Sequence, residues 1–343
     1  MMKLLLMWVL LSPALVCGMG ITALSEEIKG GVLLEKGDLR VLVSPRNQGR
    51  VLVAEKEGEC FGWVNLEALK NGRGGGGLDR FWFGPDGSQF TVFFRPGAPL
   101  EEGNWRVPDE VAGGEMTVTK RGEEFLEMER DIEVKNHLGT EFRVRLLRTV
   151  SLSNRGLKVT NVVTNLGEDW SEERGLLAIW NLASLQGRET TRVIFPVQEV
   201  EKVQRYFEPF REGQLHLKNG RASFRCSGNW RSKIGLKRED CAGFLSVREE
   251  RDSSDLVILT MRYAVGTGQR YPHAERGPQK RPYAGDLMNV YNHGTLDRSP
   301  LAEAAFYELE SASAMPELRQ GESFSHWQEL DFLPGEEDRP FGE

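Results

Sequence analysis

Two short segments near the C-terminal end concentrate side chains suited to proton transfer and hydroxyl recognition. They are Gly285-Asp286-Leu287-Met288-Asn289-Val290-Tyr291-Asn292-His293-Gly294 and Tyr307-Glu308-Leu309-Glu310-Ser311. Both otherwise read as strands, and strand interiors normally exclude Asp and Asn, whose side chains compete for backbone hydrogen bonds. A β-rich chain that places them there is expected to line a polar cleft with them. Sugars suit such a cleft, because each hydroxyl needs a donor and an acceptor and each pyranose face needs an apolar platform. Asp286 and Glu310 form the best carboxylate pair for acid–base work, and His293 supplies or takes the complementary proton near neutral pH. Asn289 and Asn292 stand beside them as hydroxyl contacts. The competing roles are structural: Asp286 and Asn292 flank turns, where such side chains ordinarily cap, and Glu310 could be an edge carboxylate paired with an Arg such as Arg319.

Two further patches complete the candidate site. Residues 79–94 combine Asp79, Arg80, Trp82 and Gln89 with aromatic neighbours: Trp faces suit sugar C–H surfaces, and Arg and Asp bind hydroxyls in fork geometry. The alternative there is an aromatic core with one buried ion pair, Asp79 with Arg80 or another charge. Residues 176–186 add Trp180, Asn181 and Gln186, with aliphatic neighbours facing the core. The other histidines, His137, His216, His273 and His326, stand alone, and His137 sits in a hairpin turn. No spacing marks a transition-metal site, although calcium held by carboxylates and carbonyls would leave no such mark. The glycines 74–77 lack the Lys-Ser/Thr of a phosphate loop, and no serine-hydrolase elbow occurs.

The elements that must position these residues are strands. Period-two alternation reads as strands over 37–43, 50–55, 141–151 and 156–165, with Leu157, Val159, Asn161 and Val163 sharing one face, and the Val-, Ile- and Leu-rich stretch 255–265 reads as a buried strand. Only 65–70 reads as a helix. The predicted architecture is all-β, a single large antiparallel sandwich over residues 19–343. In 343 residues, 44 basic against 51 acidic side chains leave a formal net charge of −7, which weighs against a nucleic-acid groove, since that needs a clustered basic excess. Met1-Met2-Lys3 followed by an apolar run to Val16 reads as a signal peptide cleaved after Gly18, giving a periplasmic or secreted protein. A lipid anchor at Cys17 is the lesser alternative, because Val16 is large for the position before a lipidated Cys. No later segment is long and apolar enough to span a bilayer. Of the remaining cysteines, Cys226 and Cys241 could bridge neighbouring strands, or Cys60, Cys226 and Cys241 are all apolar thiols.

The segment from Gly77-Leu78-Asp79-Arg80-Phe81-Trp82-Phe83-Gly84-Pro85 to Phe90 resembles the signature of DUF6786, a bacterial family of the galactose mutarotase-like supersandwich superfamily. Pro282 to Asn292, and Tyr307-Glu308-Leu309-Glu310 followed by Leu318-Arg319-Gln320-Gly321-Glu322, carry the same resemblance, which covers roughly residues 30–331. It implies a β-supersandwich and a carbohydrate ligand, and acid–base catalysis at an anomeric centre requires no cofactor, because it needs only protons. By resemblance to aldose 1-epimerases, Glu310 takes the role of base on the anomeric hydroxyl and Arg80 contacts the sugar. The chain departs from that pattern at Ala178-Ile179-Trp180-Asn181, where the epimerases carry an acid His. That departure leaves His293 or Asp286 as the acid, a binding module without turnover, or a glycosidase or lyase acting on a polysaccharide.

Overall fold

A computed structural model describes residues 20–71, 75–207, 209–228, 230–251, 254–294 and 305–334. The expected signal peptide, with Cys17, and Gly74 of the glycine run lie outside the described residues. Strands dominate, in three antiparallel sheets of four, six and ten strands.

The ten-stranded sheet shows how the sequence specifies its own face. Its Glu141–Leu152 strand alternates exposed and buried residues from end to end, and Gly156–Asn165 does nearly the same. Phe142, Val144, Leu146 and Val150 point inward with Leu157, Val159 and Val163 beside them. Outward, Asp131, Glu133 and Lys135 face Arg145, Arg143 and Glu141 across one strand pair, each opposite its ion-pair partner. Opposite charges directly across an antiparallel pair add a few tenths of a kcal/mol, up to about 1 kcal/mol, and set the register. The pair is joined at residues 136–140, where Asn136 Oδ1 accepts from Thr140 N at 2.9 Å, so His137 does sit in a hairpin turn.

The six-stranded sheet runs Gln204–Tyr206, Ser232–Leu236, Met288–Asn292, Phe306–Ala312, Ala178–Gln186, Arg80–Gly84. It packs on the inner face of the ten-stranded sheet, and residues of both join one hydrophobic core. The four-stranded sheet, from Val32–Lys36 to Glu59–Phe61, covers the end of that core; Leu42, Leu52 and Val53 on its other side pack against Ile21, Leu24 and Ile28 of the Gly20–Glu27 helix and its end. The short helix expected at 65–70 is Leu66–Lys70, started by Asn65, whose side chain accepts from Ala68 N at 2.9 Å in the usual N-cap manner. The Gly20–Glu27 and Asp109–Ala112 helices and the Val32–Lys36 strand had no counterpart among the sequence expectations. No helix of the described residues is long and apolar enough to cross a membrane. Cys226 and Cys241 are unbridged thiols, the first buried in the core.

A buried polar network joins the two large sheets. Arg148, fully buried on the ten-stranded sheet, donates to Gly49 O at 2.8 Å, to Asn161 Oδ1 at 3.0 Å and to the Asp79 carboxylate. Asn161 in turn donates to Asn181 Oδ1 at 2.8 Å, and Gln328 donates to Asp79. Ser311 bonds His326 Nε2 at 2.9 Å and Gln328 at 3.2 Å. Burial pushes the His326 imidazole down to about 3, so it stays neutral and serves as a hydrogen-bonding group only.

Candidate functional site

Strand side chains alternate between faces, and in the six-stranded sheet the two faces do different work. Residues 179, 181 and 183 of the Ala178–Gln186 strand look toward the ten-stranded sheet, whereas Trp180, Leu182 and Ser184 look away from it. Cross-strand register then aligns the outward set: Leu182 lies opposite Glu310 and Arg80, Ser184 opposite Glu308, and Trp180 opposite Trp82. On the other side of Phe306–Ala312, Asn289 lies opposite Glu310 and Tyr291 opposite Glu308, with Lys233 opposite Tyr291. Charged and aromatic side chains from five strands thus converge over one patch of sheet.

A cavity of about 280 Å³ lies over this patch, lined by Arg80, Trp82, Trp180, Lys233, Tyr291, His293, Glu308 and Glu310 among others. The segment between Gly84 and Pro108 adds Asp86, Glu102 and Trp105, with Phe207, Arg231 and Arg276 closing the remaining wall. Trp105 is held by a hydrogen bond to Asp86 Oδ1 at 2.8 Å and by stacking on Phe93 at 5.5 Å; Trp82 meets Trp180 edge to face at 5.5 Å. A larger polar depression of about 610 Å³ around Gly139, Arg174 and Gln320 offers no aromatic platform.

Glu310 is the most perturbed acid of the cavity. Its Oε2 accepts from Trp180 Nε1 at 3.0 Å and pairs with Lys233 Nζ at 2.9 Å, while Oε1 receives no donor among the described residues. Burial raises its carboxyl to about 7; Lys233 works against the rise and Glu308 adds to it. Lys233 shows the opposite balance. Burial works to lower its pKa, but the Glu310, Asp86 and Glu308 carboxylates outweigh that cost and hold it above the usual lysine value. Its ammonium also lies 5.0 Å from the Trp180 ring centre, a cation–π distance.

Glu308 is held differently. Arg80 Nη2 donates to its Oε1 at 2.6 Å, Ser184 Oγ donates to the same oxygen at 2.8 Å, and Arg80 Nη1 reaches Ser184 Oγ at 2.6 Å. The Arg80 guanidinium lies 4.6 Å from the Trp82 ring centre. His293 stacks on Phe306 at 4.3 Å, with its Nδ1 3.2 Å from Tyr291 OH. Burial lowers its pKa below the ordinary histidine value.

Of the residues expected from sequence, the structure brings Glu310, His293, Arg80, Trp82 and Trp180 to one cavity. It places the others elsewhere. Asp79 and Asn181 point between the sheets into the Arg148 network, so the buried-ion-pair alternative for Asp79 is the one found, with Arg148 as the partner. Gln89 staples a loop, donating to Gln279 O and accepting from Gln279 N. Asn292 faces away from Tyr291 and holds the turn before Ser232 through Gly228 N and Trp230 O.

Asp286 and Asn289 sit one strand beyond Glu310 and do not line the cavity. Asp286 Oδ2 accepts from Tyr206 OH at 2.6 Å and Asn289 Nδ2 at 3.0 Å, and burial raises its carboxyl. Gly235 makes room for this group, since a Cβ there would stand 2.0 Å from Asp286 Oδ2. Gly235→Ala should displace the carboxylate from Tyr206 and destabilise the fold by about 1–3 kcal/mol, read by chemical denaturation. A neutral result would mean that the Asp286 carboxylate yields at no cost.

Glu308, Lys233, Tyr291, Asp86, Glu102, Trp105, Arg231 and Arg276 were missed by sequence reasoning. Glu308 carried a usable signal, because two residues before Glu310 on one strand means the same face. Lys233 carried none, since a lone Lys in a short apolar strand looks like a surface residue. Among the described residues no group of three or more His, Cys, Asp or Glu is gathered as a metal would require.

Residues 18–339 match the model of DUF6786, a family of unknown function. The chain belongs to this family. No match was found among curated protein sequences. Solved structures similar to this DUF6786 chain include a galactose mutarotase-like protein from Lactobacillus casei ATCC 334. It is 12% identical with a TM-score of 0.54, covering 88% of this chain and 99% of that one. A candidate aldose 1-epimerase from Escherichia coli K12 gives 12% identity and a TM-score of 0.55, covering 88% and 98%. A galactose mutarotase related enzyme from Lactobacillus acidophilus gives 11% and 0.51, covering 91% and 99%. At these identities the likeness is one of fold: an all-β, galactose mutarotase-like sandwich.

Proposed function

We propose that this is an exported carbohydrate-active protein that holds a sugar in the cavity over the six-stranded sheet and interconverts its anomers in the manner of an aldose epimerase. The observation that carries the reading is Glu310, a buried carboxyl raised to about 7 on the floor of a cavity walled by Trp82, Trp105 and Trp180. General bases work best with a pKa near the operating pH. The volume of about 280 Å³ lies at the small end of ligand pockets, which start at roughly 300 Å³, and suits one ring better than a polymer.

In this reading Glu310 removes the proton from the anomeric hydroxyl, and an acid gives a proton to the ring oxygen as its bond to C1 breaks. The open aldehyde rotates about C1–C2 and closes on its other face by the reverse transfers. With the Asp286 carboxylate engaged by Tyr206 and Asn289 outside the cavity, His293 is the acid we assign. Arg80, Glu308 and Lys233 bind hydroxyls, and the indole faces carry the ring. A binding module without turnover is the second reading, favoured by Trp180 standing in the stretch where the epimerases carry their acid His.

The pair makes a signed prediction for pH. Turnover needs Glu310 ionised, hence pH above about 7, and His293 protonated, hence pH below its lowered value. The two requirements cross, so the productive form is a minority species most populated between the two values. kcat/KM for anomer exchange should therefore peak below pH 7 and fall on both sides. A profile still rising at pH 8 would remove His293 as the acid.

A further inference from the structure

The charges of the cavity do not pair evenly. Arg80 is matched to Glu308, and Lys233 to Glu310 with Asp86 4.0 Å away. Arg231 and Arg276 remain, and both close on one carboxylate, Glu102: Arg231 Nη1 at 2.8 Å from Oε1, and Arg276 Nη1 on Oε2. The two arginine side chains are largely covered, at 20% and 14% exposure, whereas the Glu102 side chain is 61% exposed, on a single 3-10 turn in the segment over the cavity. Both arginines lie against Phe207, with Cζ 3.9 Å and 5.8 Å from its ring centre, and Arg276 also lies 5.2 Å from Trp105.

Each arginine keeps a buried Nε–H with no acceptor among the described residues, and so does the indole N–H of Trp82 in the same cavity. Unanswered buried donors are costly and uncommon. Partial burial would raise the Glu102 carboxyl, but its bonds from Arg276 and Arg231 outweigh that and hold it below the usual range.

From this geometry we infer that Arg231 and Arg276 form a clamp for an anionic substituent of the sugar, a carboxylate or a sulfate or phosphate ester, and that Glu102 occupies the clamp until such a ligand displaces it. The inference rests on the carbohydrate reading above and adds the substrate class. Planar guanidinium forks match carboxylate, sulfate and phosphate oxygens, and an exposed carboxylate on a short turn is the partner easiest to move. Placement agrees with the proposed chemistry. Arg231 precedes Lys233 by two residues, roughly 7 Å along an extended chain, which is the scale of one pyranose. A ring with its anomeric hydroxyl at Glu310 would direct the substituent at its far end toward the clamp.

The test is a set of calorimetric titrations of the wild-type protein with glucose and galactose, their uronates, and their 6-sulfates and 6-phosphates, repeated with Glu102→Gln and Arg276→Gln. The acidic sugars should bind about tenfold or more tightly than their neutral parents, and Arg276→Gln should erase that difference. Glu102→Gln should strengthen binding of the acidic sugars severalfold relative to the neutral ones, because it removes an internal competitor. Which anion binds best separates carboxylate from sulfate or phosphate.

Neutral sugars binding as tightly as acidic ones, or acidic sugars indifferent to Glu102→Gln, would overturn the inference. If no sugar binds, sulfate and acetate alone separate the two claims. Tryptophan fluorescence changes that depend on Arg276 would keep the clamp and sink the carbohydrate reading, and no response to either anion would sink both.

Discussion

Glu310→Gln should lower the rate of α/β anomer exchange by roughly 10²–10⁴-fold, the usual worth of a positioned proton acceptor, while the protein still binds its sugar. Gln has the same shape, so it can still accept from Trp180 Nε1, the donor that now reaches Glu310 Oε2 at 3.0 Å. What it loses is the ability to take a proton from the anomeric oxygen. Exchange followed by NMR on the best-binding sugar, wild type against variant, reads the effect directly. Exchange that persists at the wild-type rate in Glu310→Gln would dismiss Glu310 as the base. Binding with no exchange in the wild type would leave a recognition protein with the same cavity.

Asp79→Ala should destabilise the protein by about 3–5 kcal/mol, because it strands a buried guanidinium without its counter-charge. Asp79 and Arg148 are both fully buried, and the carboxylate also accepts from Gln328. Chemical denaturation measures the loss. At temperatures where the variant remains folded, its affinity for sugar should match the wild type, since Asp79 looks away from the cavity. A variant of normal stability with impaired binding would return Asp79 to the ligand-contact role that its neighbours in sequence suggest. Arg80 gives the useful contrast: the next residue along the strand faces the other way and reaches Glu308 in the cavity.

Those two adjacent residues mark the limit of what could be read from the chain. Alternation was decisive wherever one face meets water. The 141–151 and 156–165 patterns correspond to the Glu141–Leu152 and Gly156–Asn165 strands, and the shared face of Leu157, Val159, Asn161 and Val163 is the buried one. In the six-stranded sheet both faces are covered, one by the ten-stranded sheet and one by the cavity and the segment over it. Eight consecutive residues, Ala178 to Leu185, are buried there. Hydrophobic pattern then says nothing about which polar side chain meets a ligand, and Asn181 and Trp180 could not be told apart.

The sequence by itself determined the all-β class and, through the family resemblance, the galactose mutarotase-like fold and Glu310 as the residue to test. The class rests on local periodicity, and the fold family on the resemblance carried by residues 77–90, 282–292 and 307–322. Tertiary structure alone decided that Lys233, from a strand more than seventy residues earlier in the chain, is the cation on Glu310. It also sent Asp286 to Tyr206 and Arg231 and Arg276 to Glu102. The physical reason is that a buried charge is satisfied by whichever partner the sheet register brings within about 3 Å, and register between strands distant in sequence leaves no trace in the spacing of either one.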